Sequence, residues 1–167
     1  MIFFKKKHNS NLYSTLLNLS RNIFFYRNIE LEDKFETRIY LMFFHFSIIM
    51  LIFKKKGKKF DQDNYDFLFH AIENDLRELG FGDVSVNKKM KEFNKILYDI
   101  LLKVDISETD KKTFKINRNL LIKYFDNLNT SKNDNLSVIE RYFDNFFNFC
   151  FEQTDDNVIN KISKFKF

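Results

Sequence analysis

The stretch Tyr65–Val104, YDFLFHAIENDLRELGFGDVSVNKKMKEFNKILYDILLKV, decides the fold. Tyr65, Leu68, Phe69, Ile72, Leu76 and Leu79 recur at steps of three and four, the spacing that gathers side chains on one face of an α-helix. Val86, Met90, Phe93, Leu97, Ile100, Leu101 and Val104 resume that period beyond Gly80 and Gly82. The chain has three glycines and no proline, so two glycines a step apart mark a turn of fixed shape. Gly80 stands where a helix C-terminus favours positive φ, and Gly82 keeps the next step of backbone pliable. Glu73 and Arg77, four apart, are spaced to pair on a different face. Asp83 is placed to cap the second helix, with Ser85 as the alternative cap.

Working outward, the same period continues. Leu12, Leu16, Leu17 and Ile23 predict a first helix ending near Arg27. Ser107, with Asp110 three residues on, reads as a helix start, and Phe114, Leu120, Leu121, Tyr124 and Phe125 supply its apolar stripe. After the polar loop Asn129–Asn135 come Val138, Ile139, Tyr142, Phe143, Phe146 and Phe147. No strand alternation runs over a comparable length. The expectation is an all-α, single-domain helical bundle of about six helices.

Composition suits that expectation. A chain of 167 residues buries roughly two-thirds of its unfolded surface on folding. Hydrophobic residues at 44% and charged ones at 31% exclude wholesale disorder. With 23 Phe and no Trp, beside heavy use of Lys and Asn, the core reads as one biased toward Phe by AT-rich codons. Cys150 stands alone, so no intramolecular disulfide argues for secretion. The start MIFFKKKHNS has too short an apolar stretch for a signal peptide and no arginine for a mitochondrial presequence.

Ile39–Phe53 carries no charge and is followed by KKKGKK at Lys54–Lys59. A spanning helix needs about 20 apolar residues, and shorter runs become buried core helices. His45 and Ser47 in its middle would be costly in lipid, so the run predicts a buried central helix. Its lysines either oppose the negative end of the helix dipole or draw the chain to anionic lipid. The +5 net charge lies wholly in residues 1–104, where 18 Lys and Arg face 13 Asp and Glu, which favours an anionic partner.

Chemistry-bearing motifs are few. No phosphate-cradling loop, zinc-finger spacing or RNA-recognition consensus occurs, and specific DNA binding is not expected. Cys150 has no base positioned by sequence and reads as a small buried hydrophobe. His45 and His70 fall on neighbouring helices, but the Glu-x-x-His units of bundle metal sites are missing. The expectation is no enzyme, no metal and no cofactor.

Asp75–Lys91, DLRELGFGDVSVNKKMK, resembles the signature of the ubiquinol–cytochrome c chaperone family, helical assembly factors for cytochrome b of the bc1 complex. The resemblance extends from Tyr13 to Asn119 through Tyr13, Arg21, Tyr26, Asp33, Thr37–Gly57 with His45 at the family's histidine, Tyr98 and the pair Arg118–Asn119. It breaks at Leu97–Ile100, where the family has phenylalanine, glycine and arginine, and Arg38 keeps half of a glycine–arginine pair. Residues 1–12 then form an N-terminal segment, 13–128 the chaperone-like domain and 129–167 a C-terminal helical extension packed on the same core.

The resemblance implies a non-enzymatic chaperone for cytochrome b or its assembly intermediate, acting with a small partner chaperone. Partner-binding residues are expected in the signature, namely Arg77, Glu78, Gly80, Asp83, Lys88 and Lys89, with His45 as a further contact. The protein is expected to be cytoplasmic, with peripheral contact on an anionic inner membrane, or mitochondrial in a eukaryote. The competing reading is a helical RNA- or ribosome-associated factor binding through its basic face.

Overall fold

The computed structural model describes residues 12–107, 112–130, 134–153 and 158–167. Helix α1 covers residues 12–20, followed by α2 (Ile23–Arg27), α3 (Phe35–Lys55), α4 (Gln62–Glu78) and α5 (Asp83–Lys103). Then come α6 (Arg118–Tyr124), a 3-10 turn at Asp126–Asn129, α7 (Asn135–Glu152), α8 (Val158–Lys161) and a closing 3-10 turn at Ile162–Lys164. Among the described residues there is no strand, only an isolated antiparallel bridge between Asp105 and Ile116. The all-α bundle expected from the periodicity is what forms.

Helix α3 is the axis. Every residue from Leu41 to Ile49 is buried, so the helix has no solvent face in its middle, which a helix apolar on all sides requires. By length and composition α3 is also able to cross a membrane, yet 67% of its most apolar window is buried inside the fold. Helices α5 and α7 both pack against it, and α4 packs on α5. Phe43 reaches toward the hairpin, its ring centroid 5.9 Å from Phe69 of α4 and 6.2 Å from Phe93 of α5. Phe44 turns toward α7, 5.4 Å from Phe143.

His45 sits in that core with no exposed surface. Its Nδ1 lies 2.6 Å from the Leu41 carbonyl, which only accepts, so Nδ1 carries the proton. Nε2 is left to accept from the Tyr142 hydroxyl at 2.8 Å. The ring is neutral: burial lowers its pKa from 6.5 to about 4, against a smaller upward pull from the Leu41 carbonyl.

Local chemistry fixes the helix ends. Gly57 and Gly80 have φ of +67° and +95°. At Gly80 the Phe81 N–H bonds the Leu76 carbonyl at 3.2 Å and the Gly80 N–H bonds the Arg77 carbonyl at 3.0 Å, the paired closure of a Schellman cap. Gly57 closes α3 in the same way, through Lys58 N to Phe53 O at 2.8 Å and Gly57 N to Lys54 O at 3.0 Å. Asp61 caps α4 by accepting from the Asp63 N–H at 3.0 Å. Asn117 caps α6 by accepting from the Asn119 and Leu120 N–H groups at 3.1 and 3.3 Å. Glu30 also takes positive φ, +63°. Its turn is held by Asn127 donating to the Glu30 carbonyl at 2.6 Å and Asn135 to that of Ile29 at 3.0 Å.

Several expectations are corrected. The single first helix is two, because Asn22 accepts from the Phe24 N–H at 3.1 Å and starts a new helix, leaving Ile23 55% exposed. Asp83 does not cap α5: Gly82 is the N-cap, with no side-chain capping bond from either Asp83 or Ser85. Ser107 opens no helix; its hydroxyl and N–H both go to Asp105, at 2.7 and 2.9 Å, while Asp110 lies outside the described residues. Phe114 stands in the loop before α6, stacked on Phe147 at 4.7 Å. Leu79 is 59% exposed, because α4 ends before it can meet the core. The segment at residues 1–11 likewise lies outside the described residues.

Two outcomes follow for stability. Gly80→Val should lower the melting temperature sharply, costing about 1–3 kcal/mol, because a β-branched residue resists positive φ. Gly82→Ala, at φ −73° with open space around it, should change melting little, because the lower entropy of the unfolded chain offsets the poorer N-cap. Equal melting of the Gly80→Val variant and the parent would contradict the cap. For His45, the unfolded state takes a proton below about pH 6.5 that the folded state refuses until about pH 4. Unfolding free energy should therefore fall as pH drops through that window, by roughly 3 kcal/mol in full. The double variant His45→Leu with Tyr142→Phe, which removes both polar partners, should show a flatter profile in urea titrations across the same pH range.

Candidate functional site

The signature residues gather around the α4–α5 turn, and the turn is stiffened by its own charges. Arg77 donates to Glu73 on the preceding turn at 3.2 Å and, with its other terminal nitrogen, to Asp83 at the start of α5. One guanidinium thus brackets Gly80, Phe81 and Gly82 from both sides. Lys89 on α5 reaches across to Glu36 at the start of α3, 3.5 Å away, and lies 5.3 Å over the Phe81 ring. Arg77, Asp83 and Lys89 therefore hold the turn's shape. Lys88 is exposed and carries no ion pair among the described residues.

Beside the charged Arg77, Glu78 and Asp83, the turn shows apolar side chains to solvent. Leu79 is 59% exposed, Phe81 37% and Val84 83%, with Lys88 on the following turn of α5. Periodicity hid this patch, since Leu79 continues the α4 stripe and reads as core.

Behind the turn lies a cavity of about 350 Å³ between α1, α3 and α4. Leu17, Phe35, Ile39, Met42 and Leu79 give it an apolar lining, and Tyr13, Arg21, Arg38, Asp75 and Glu78 its polar groups. The Tyr13 hydroxyl donates to Asp75, a partner 62 residues away, and burial followed by that bond raises the phenol above its ordinary range. Arg38 donates to Asp33 from Nε at 3.0 Å and from a terminal nitrogen at 2.6 Å. Arg21 is exposed, with no ion pair or hydrogen bond from its side chain among the described residues. Positions named only by resemblance, Tyr13, Arg21 and Arg38, thus converge with Asp75 and Glu78 of the signature on one hollow.

His45 does not join them. It is enclosed between α3 and α7, so the folded chain offers no edge of the ring to a partner, and its expected contact role is replaced by a core hydrogen bond. His70 is exposed on α4, 3.8 Å from Glu73. Cys150 is buried, and desolvation pushes its thiol up to about 12, so it is protonated and a poor nucleophile at neutral pH.

Where the sequence departs from the family at Leu97–Ile100, the chain builds a contact of its own. Asp99 accepts from the Tyr124 hydroxyl at 2.5 Å, from Lys123 at 2.7 Å and from Lys103. Burial alone would raise this carboxyl, but those donors hold it well below the usual carboxylate range. Arg118, at the opposite end of α6, lies 3.7 Å from Glu140 of α7.

The chain matches no curated protein and no solved structure. A family model described as ubiquinol–cytochrome C chaperone matches residues 27–120, from the last residue of α2 to the first turn of α6. That span contains α3, the α4–α5 hairpin and the glycine turn, and leaves Tyr13, Arg21 and Tyr26 before it. Covering more than half of the 167 residues, it shows that the chain belongs to the ubiquinol–cytochrome c chaperone family, chaperones of bc1-complex assembly.

Proposed function

We propose that the protein is a non-enzymatic chaperone that holds cytochrome b, or an early assembly intermediate of it, until further bc1 subunits join. The observation that carries this reading is the stiffened glycine turn inside the family-matched region, with Leu79, Phe81 and Val84 exposed beside Lys88. A hydrophobic subunit awaiting its neighbours exposes apolar surface, and a small apolar patch with a charged edge complements it without requiring the chaperone to unfold. Mixed polarity also suits release: a modest patch holds a client weakly enough for the next subunit to displace it. Binding incomplete states and not the finished complex lowers aggregation by mass action. A small partner chaperone and a place of work at the membrane surface belong to the same proposal.

The test is capture of cytochrome b by tagged parent and by the double variant Val84→Asp with Lys88→Glu. Both side chains are exposed, so melting should shift by less than the equivalent of about 0.5–1 kcal/mol. Recovery of cytochrome b should fall at least severalfold, since apolar contact and charge complementarity are both reversed. Equal recovery from both proteins would remove this face from the client site. Recovery of ribosomal RNA in place of cytochrome b would favour the RNA-associated reading.

A further inference from the structure

The hairpin that carries the signature turn has a second, chemically distinct end. Helices α4 and α5 span 17 and 21 residues, so the start of α4 and the end of α5 lie roughly 25 and 30 Å from the glycine turn. There the lysine run after α3 divides in two. Lys55 turns into the fold, 2.8 Å from Asp105 and 2.5 Å from the Thr113 carbonyl, and Lys56 reaches the Gln153 carbonyl at 2.8 Å. Lys54, Lys58 and Lys59 stay on the surface, and Lys54 and Lys59 carry no ion pair among the described residues.

Beside them a shallow groove of about 430 Å³ opens between the ends of α3 and α5. Met50, Phe53 and Phe60 form its apolar wall, Leu102 is its lip, and Lys54 and Lys58 are its charged members. Leu102 is 79% exposed on the last turn of α5. No carboxylate lines the groove. The acids near it in the chain are engaged elsewhere: Asp99 by Lys103, Lys123 and Tyr124, and Asp105 by Lys55, while Asp61 accepts the Asp63 N–H at the start of α4.

We propose that this groove and its lysine rim dock the protein on the surface of an anionic lipid bilayer. Two kinds of complement are needed at once: phosphate for Lys54 and Lys59, and acyl chain for Leu102 and the apolar wall beside it. A lipid interface supplies both at the same depth. RNA supplies phosphate but has no aliphatic group to cover Leu102, which is 79% exposed. Docked in this way, the hairpin holds the signature turn away from the headgroups, where a membrane subunit's protruding segments are within reach. The docking rests on its own residues and stands whether or not the client is cytochrome b.

The test is sedimentation of the purified full chain with phosphatidylcholine vesicles and with mixed phosphatidylcholine–phosphatidylglycerol vesicles. The parent should bind the mixed vesicles and not the neutral ones, and salt should weaken the binding. Lys54→Glu with Lys59→Glu should lower the partition coefficient by about twentyfold or more, at about fivefold for each lysine lost and further for reversal. Leu102→Asn should lower it severalfold at unchanged net charge. Melting of each variant should match the parent. No binding of the parent to mixed vesicles, or equal binding by parent and both variants, would overturn the proposal. So would a Leu102→Asn variant that binds vesicles and free RNA as the parent does, which would mark a plain phosphate site. Cytochrome b capture by a parent that ignores vesicles would sink the docking and leave the chaperone reading in place.

Discussion

An unbroken buried stretch at the middle of α3 is the constraint from which the architecture follows. Nine consecutive residues, Leu41 to Ile49, have no solvent face, so the helix has to be enclosed on every side. The α4–α5 hairpin covers the side of Phe43, and α7 covers the side of Phe44 and His45. His45 and Ser47 are the polar side chains this enclosure has to accommodate. For His45 a fixed tautomer between the Leu41 carbonyl and the Tyr142 hydroxyl does so. Unpaired, the same imidazole would carry the penalty of a buried polar atom without compensation.

A rigid scaffold of this kind makes a surface turn informative. The Schellman closure at Gly80, the Arg77 bracket and the Lys89–Glu36 contact tie the turn to α4, α5 and α3 together. Exposed ion pairs of this sort stabilise the fold by less than about 1 kcal/mol each, so their consequence is placement more than stability. Leu79, Phe81 and Val84 are held out in a set arrangement, ordered before any partner arrives. Preorganisation lowers the entropy lost on binding, which suits a chaperone whose client is the less ordered member of the pair.

Local signals in the sequence carried the helical period, the positive φ at Gly80, the Glu73–Arg77 pair and the buried character of Ile39–Phe53. Contacts that depend on distant partners were not legible. Tyr13 with Asp75 and His45 with Tyr142 join residues 62 and 97 apart, and no spacing rule links them. Leu79 misled because a stripe gives the face of a helix but not the point at which the neighbouring helix stops covering it. Asn22 was a cap in the middle of an apolar pattern, and the period alone did not reveal the break. Of the candidate site, the turn was legible, whereas the hollow behind it needed α1 and α3 to be folded against α4.

The most direct test of the central claim is the content of assembled bc1 complex, read with the b-type haem absorbance, in cells that lack this gene and in cells given it back. Loss of assembled complex and of the b-type signal, both restored by the parent gene, is the predicted result. Normal complex and a normal b-type spectrum in the deletion would contradict the account.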